Sequence, residues 1–159
     1  MSNFDQNQHG SEEWLTPKYI IEALGCFDLD PCSPINRPWK TATRHFTKDD
    51  DGLLMDWDGR VWLNPPYGKE TIKWVKKLAA HGNGIALIFA RTDTKMFQEI
   101  VFPNMSGILF LEKRLQFCKG DGTIYPNNAG APSVLVAFGK ENAQILRACG
   151  LKGYFHEVD

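Results

Sequence analysis

The sequence predicts an α/β fold built on a doubly wound, mostly parallel sheet, and three observations lead there. Short strand-like runs alternate along the chain with helical stretches. The run Ile85-Ala86-Leu87-Ile88-Phe89 is apolar without interruption, the composition of a strand covered on both faces. Acidic, amide and basic residues fall directly after the strand runs, where ligands collect in such sheets.

The elements follow in order. Residues 1–12 lack periodicity and read as a disordered tail, leaving 13–159 as a single domain. Thr16 reads as a helix N-cap and Pro17 as the first helical residue, with Tyr19, Ile20, Ile21 and Leu24 as the apolar stripe and Gly25 as the stop. Cys26 to Pro31 reads as a strand ending at Asp30, and Thr41 to Thr47 as a second, followed by Asp49-Asp50-Asp51-Gly52. Val61-Trp62-Leu63 is a third. A helix is expected from about Glu70 to His81, with Ile72, Val75, Leu78 and Ala79 on one face and Gly82 beyond its end. After Ile85–Phe89, Thr92-Asp93-Thr94 caps a helix bearing Met96, Phe97, Ile100 and Val101 and ended by Pro103. Gly107 to Leu111, Leu115 to Cys118 and Ser133 to Phe138 are further strand runs, and their adjacency predicts an antiparallel edge. Glu141 to Ala148 is the last helix, stopped by Gly150.

Composition narrows the function. With 159 residues, 43% hydrophobic and 23% charged, the chain matches ordinary globular proteins and has length for one core. No apolar run approaches the roughly 20 residues of a membrane span, and the polar stretch Met1–Glu13 is no leader, so a cytoplasmic setting is expected. The four cysteines and four histidines have neither zinc nor disulfide spacing, and no metal is expected. A net charge of −1 excludes bulk electrostatic coating of nucleic acid, so any grip on phosphate must be local. The basic clusters Arg37-Lys40-Arg44 and Lys113-Arg114-Lys119 read mainly as solvated surface.

Asn64-Pro65-Pro66-Tyr67, directly after Val61–Leu63, carries the most chemistry. Two prolines remove two backbone donors and fix φ near −65°, stiffening the chain as it leaves the strand. The Asn64 side-chain oxygen and the Pro65 carbonyl are two acceptors suited to the hydrogens of a planar NH2 group, and Tyr67 offers a ring face for stacking. The same four residues can also form an ordinary turn.

The ordered set Trp14-Leu15-Thr16-Pro17, Phe27-Asp28-Leu29-Asp30-Pro31-Cys32, Asp51-Gly52-Leu53 with Trp57, Asn64-Pro65-Pro66-Tyr67, Ala90-Arg91-Thr92-Asp93-Thr94, Arg114-Leu115-Gln116-Phe117 and Pro132-Ser133 resembles the phage-type Dam family of DNA N6-adenine methyltransferases. That resemblance implies a seven-stranded Rossmann-like domain with helices on both faces, S-adenosylmethionine as cofactor, DNA as substrate and, for a phage-encoded chain, the host cytoplasm. It implies that Asn64 and Pro65 accept from the adenine 6-amino group, that Pro66 supplies rigidity and that Tyr67 stacks on the base. It further implies cofactor binding by Asp30, Pro31 and Cys32, with Trp14, Thr16 and Pro17 closing over the methionine end and Asp51 at the adenosine.

Two departures stand out. Pro31-Cys32-Ser33-Pro34 replaces the Gly-x-Gly turn that many methyltransferases carry after the first strand. A separate target-recognition domain has no room, which leaves Lys119 to Ala131 either to touch DNA or to form an ordinary hairpin. Methylation of a release-factor glutamine or of guanine in RNA, and a catalytically silent nucleic-acid-binding module, are the alternatives.

Overall fold

The computed structural model describes residues 14–126 and 129–159, so the tail expected over 1–12 lies outside the described residues. In chain order come α1 (Lys18–Leu24), β1 (Leu29–Asp30), β2 (Arg44–His45), a 3-10 turn (Gly52–Leu54), β3 (Val61–Leu63), α2 (Thr71–His81) and β4 (Gly84–Phe89). A π-helical stretch (Phe97–Val101) then runs into α3 (Phe102–Asn104), followed by β5 (Gly107–Leu111), β6 (Ser133–Phe138), α4 (Lys140–Ala148) and β7 (Gly153–Glu157). The strands form one sheet in the order β2-β1-β3-β4-β6-β5-β7.

Side chains alternate across this sheet with the two-residue period of a strand. Trp62, Ile85, Leu87, Leu109 and Leu135 pack on one face with Ile20 and Leu24 of α1 and Leu146 of α4. Val61, Leu63, Ala86, Ile88 and Val134 pack on the other with Val75 and Leu78 of α2 and Phe97 and Val101 of the π stretch. Helices therefore cover both faces, as expected.

The expected predominance of parallel pairing is not observed. β2–β1, β1–β3 and β3–β4 are parallel but short, the last pairing only Val61–Leu63 with Gly84–Ala86. β4–β6, β5–β6 and β5–β7 are antiparallel, and these ladders run almost the full length of five- and six-residue strands. The sheet is thus mostly antiparallel by paired length. The expected antiparallel edge is present, but it reaches in to β4, and an apolar run buried on both faces reads the same whichever way its neighbours point.

Two local expectations also change. Leu115–Cys118 forms no strand; Cys118 makes single bridges to Leu15 and Ile124, and the run is apolar because Leu115 and Phe117 are buried in the α1 side of the core. The seventh strand is instead Gly153–Glu157, an edge strand whose residues are exposed except for half-buried Phe155, so it carries no apolar alternation. Pro103 lies within α3 rather than ending the helix. Lacking an amide proton, proline disturbs the regular ladder beneath it, and the preceding turn is widened so that the Phe102 amide reaches the Phe97 carbonyl.

Candidate active site

β1, β3 and β4 are parallel neighbours, so the loops leaving their carboxyl ends converge. Between them lies a cavity of about 410 Å³, walled by Trp14, Pro31 to Pro34, Asp51 and the whole Asn64-Pro65-Pro66-Tyr67 corner.

The corner is built from the residues around it. Asn64 is 9% exposed, and its Nδ2 donates to Thr16 Oγ1 at 3.2 Å. Trp62 Nε1 donates to the same hydroxyl at 3.1 Å, and Trp39 Nε1 donates to the Thr16 carbonyl at 3.0 Å. Thr16 was expected to cap α1, yet α1 begins after Pro17 with no side-chain cap, because the Thr16 hydroxyl is committed to holding the Asn64 amide. Asn64 Oδ1 is left buried without a hydrogen-bond partner among the described residues. Such an orphaned acceptor costs about 1–3 kcal/mol. On the other side of the corner, Thr71 Oγ1 donates to the Pro66 carbonyl at 2.6 Å and accepts from the Gly68 amide at 3.0 Å, clamping the chain as it enters α2. Tyr67 stacks on Phe89 with centroids 4.2 Å apart and planes 13° apart, and its hydroxyl donates to the Leu87 carbonyl at 3.4 Å. One face of the ring expected to receive a base is therefore already covered.

The walls opposite are equally constrained. The Ser33 amide donates to the Phe46 carbonyl at 2.9 Å and an Arg37 guanidinium nitrogen donates to the Pro34 carbonyl at 2.7 Å, so the Pro31–Pro34 loop is fixed by its neighbours where a glycine turn is absent. Gly52 is needed for close approach, since a Cβ there would sit 2.0 Å from the Pro31 carbonyl oxygen. Trp57 Nε1 donates to the Gly52 carbonyl at 2.8 Å and Trp57 stacks on Trp74, locking the turn that brings Asp51 to the cavity.

The profile of the DNA N-6-adenine-methyltransferase (Dam) family matches residues 4–149 of the 159. The chain belongs to the Dam family. No curated protein and no solved structure matches it.

Of the residues singled out in this Dam chain, the fold brings Trp14, Pro31, Cys32 and Asp51 into one wall with Asn64, Pro65, Pro66 and Tyr67. Thr16, Pro17 and Asp30 stand outside that wall. Asp30 is 2% exposed, accepts from the Cys32 amide at 3.1 Å and from the Thr41 hydroxyl, and burial pushes its carboxyl up to about 6 against the pull of those two bonds and of Arg37. It shapes the loop beside the cavity. Sequence reasoning missed Thr71 and Thr41, whose hydroxyls secure the two loops; a threonine shortly after the Pro-Pro-Tyr-Gly turn was the available signal for Thr71.

The basic clusters are largely tied into the protein. Arg37 bridges two carbonyls of its own loop, Arg44 pairs with Asp58 at 2.6 Å, and Arg114 donates to the Ala129 carbonyl. The described part of the Lys119–Ala131 segment is a hydrogen-bonded hairpin turn, with the Lys119 amide on the Thr123 carbonyl at 2.7 Å. Tyr125 packs 4.4 Å from Trp14, which sets this hairpin beside the cavity.

Proposed function

We propose that this Dam-family chain transfers a methyl group from S-adenosylmethionine to the exocyclic 6-amino group of an adenine flipped out of DNA, by direct in-line displacement. One observation carries the reading. Asn64 lines a cavity of ligand size, and its Oδ1 is a buried acceptor with no protein partner among the described residues.

The residues present fit the cofactor: Trp14, Pro31, Cys32 and Asp51 would hold it against the Asn64 side of the cavity. When bound, S-adenosylmethionine supplies a methyl group on a positively charged sulfur. The protein supplies position. Asn64 Oδ1 and the Pro65 carbonyl would accept the two amino hydrogens, which holds the nitrogen lone pair along one direction and favours the pyramidal nitrogen of the transition state. Orientation of this kind lowers a barrier by up to about 7–11 kcal/mol. Flipping costs a few kcal/mol, offset in part by contact with Tyr67. Asp30 has no role as a base in this reading, because it lies outside the wall with its oxygens already bonded. Seven strands with helices on both faces support the Rossmann-like methyltransferase reading.

The test is incubation of the full chain with labelled S-adenosylmethionine and adenine-containing DNA, followed by nucleoside analysis. N6-methyladenine is the expected product. Label in a release-factor glutamine or in RNA guanine, with none in DNA, would refute the substrate. Failure to bind the methyl donor by calorimetry would establish the silent binding module instead.

A further inference from the structure

Thr16 is 2% exposed and stands outside the cavity wall, yet two N–H groups converge on its hydroxyl oxygen, Trp62 Nε1 at 3.1 Å and Asn64 Nδ2 at 3.2 Å. The residue is itself held in place. Trp39 Nε1 donates to its carbonyl at 3.0 Å, and the adjoining Leu15 exchanges two backbone bonds with Cys118, at 2.9 and 3.1 Å. A threonine just ahead of a helix is well suited to cap it, but α1 begins with no side-chain cap. The hydroxyl is used across the fold instead.

Resting on the methyltransferase reading, we infer that Thr16 is a positioning and specificity-determining residue: it fixes which end of the Asn64 amide faces the ligand, and so makes the site select a 6-amino purine over a 6-oxo purine. The two ends of a primary amide have almost the same shape and opposite hydrogen-bonding sense. Turned one way, Asn64 offers an acceptor to an amino group; turned the other, it offers donors to a carbonyl. Shape cannot choose between them. An indole N–H only donates, so Trp62 obliges the Thr16 oxygen to present one of its two lone pairs. Asn64 Nδ2 takes the second, which turns the hydroxyl proton away from the amide and leaves Oδ1 as the end with no partner among the described residues. A purine with oxygen at position 6 would then set one acceptor against another. Trp62 is fully buried in β3 with its ring 5.4 Å from Phe27, so the donor that sets this arrangement is fixed in the core.

The test compares full-length Thr16→Val, which keeps the branched shape and removes the oxygen, with Thr16→Ser, which keeps the oxygen. The probes are a DNA duplex in which the unaltered chain forms N6-methyladenine and the same duplex with hypoxanthine at the methylated position. In Thr16→Val the turnover number should fall on the order of tenfold to a hundredfold, and the binding preference for adenine over hypoxanthine should fall roughly tenfold, the worth of about one hydrogen bond. The cost of flipping each base belongs to the DNA and cancels between variants. S-adenosylmethionine affinity by calorimetry should stay as it was, and Thr16→Ser should recover both losses. A residue that merely satisfied Trp62 would alter stability and leave the preference where it was. If the unaltered chain makes N6-methyladenine and Thr16→Val keeps its turnover and preference, the Thr16 assignment is overturned and the methyltransferase reading stands. If the unaltered chain makes none, that reading falls and the assignment with it. NMR of the unaltered chain decides even where Thr16→Val is unstable: slow solvent exchange of the Asn64 side-chain NH2 is expected for a nitrogen turned inward to Thr16, and fast exchange, as of a nitrogen turned to the cavity, would overturn the proposal.

Discussion

Two buried asparagines at opposite ends of the central strands show how to tell a structural amide from a functional one. Asn142 of α4 is 1% exposed and well satisfied: its Oδ1 accepts from Arg60 Nε at 2.6 Å, and its Nδ2 donates to Asn83 Oδ1 at 2.8 Å and to the Phe138 carbonyl at 2.9 Å. Asn64 is nearly as buried and lines a cavity, yet only its Nδ2 is used and its oxygen is unpaired among the described residues. Asn142 ties α4 to the chain entering β3 and β4. An acceptor kept unpaired against a penalty of about 1–3 kcal/mol points to a ligand that completes it.

The sharpest way to break this contrast is to truncate both. Asn64→Ala should lower methyl transfer by roughly 10²–10³-fold, the scale of removing one aligned hydrogen-bonding group from a transition state, with donor affinity nearly intact. Relief of the unpaired oxygen and loss of the Nδ2 bond to Thr16 Oγ1 oppose each other, so folding stability should change by only about 1 kcal/mol. Near-normal turnover would remove Asn64 from the chemistry. Asn142→Ala should do the reverse, costing about 3 kcal/mol in urea unfolding by stranding the Arg60 guanidinium and Asn83, with transfer unaffected well below the melting temperature. A stable Asn142→Ala protein would show that its saturation is incidental.

Much of this arrangement was legible in the chain. β3, β5 and β6 fall where their apolar runs placed them, α2 ends at Gly82 as its C-cap required, and the Asn-Pro-Pro-Tyr corner leaves a strand into a cavity. These features rest on local chemistry: periodicity, a left-handed glycine, proline stiffness. What stayed hidden depends on partners distant in sequence. The insertion of β6 between β4 and β5, the use of Thr16 to orient Asn64 across 48 residues, and the solvent-facing edge strand β7 leave no mark in a local window. Leu115–Cys118 misled because burial in a loop selects the same residues as burial in a strand.

Asp30 sharpens the comparison, since it sits beside the cavity but is bonded like Asn142 rather than left open like Asn64. Its carboxyl is raised from 3.8 to about 6, so between those values the folded protein binds the proton more tightly than the unfolded chain does. This group's contribution to stability is therefore greatest below about pH 4, falls as pH rises toward 6, and leaves a penalty of up to about 3 kcal/mol above that. His45 works in the opposite sense. Burial, Arg37 and Lys40 lower it to about 4, so its contribution rises with pH up to its unfolded value of 6.5. The Asp30 effect is consequently read as the difference between the unaltered chain and Asp30→Asn in denaturant titrations at pH 4 and pH 7. The variant should gain stability relative to the unaltered chain as pH rises, and an unchanged difference would mean the carboxylate is not penalised by its site.

The smallest effect expected tests whether the corner is rigid because of its prolines or because of what holds it. Thr71 is 7% exposed, and its hydroxyl is the link between the Pro66 carbonyl and the Gly68 amide. Thr71→Val keeps the branched shape but removes both bonds, so it should cost about 1–2 kcal/mol in stability. Asn64 remains hydrogen-bonded to Thr16 in this variant, so the acceptor survives and only its alignment with the rest of the corner loosens. Turnover should then drop less than about tenfold, well short of the Asn64→Ala loss, with donor affinity unchanged. Thr71→Ser, which keeps the hydroxyl, should recover most of the rate. If valine costs stability but leaves turnover untouched, two prolines alone align the acceptors. If it silences the enzyme as fully as Asn64→Ala does, then the empty acceptor is useful only while the far side of the corner is clamped, and the site must be regarded as extending from Thr16 to Thr71.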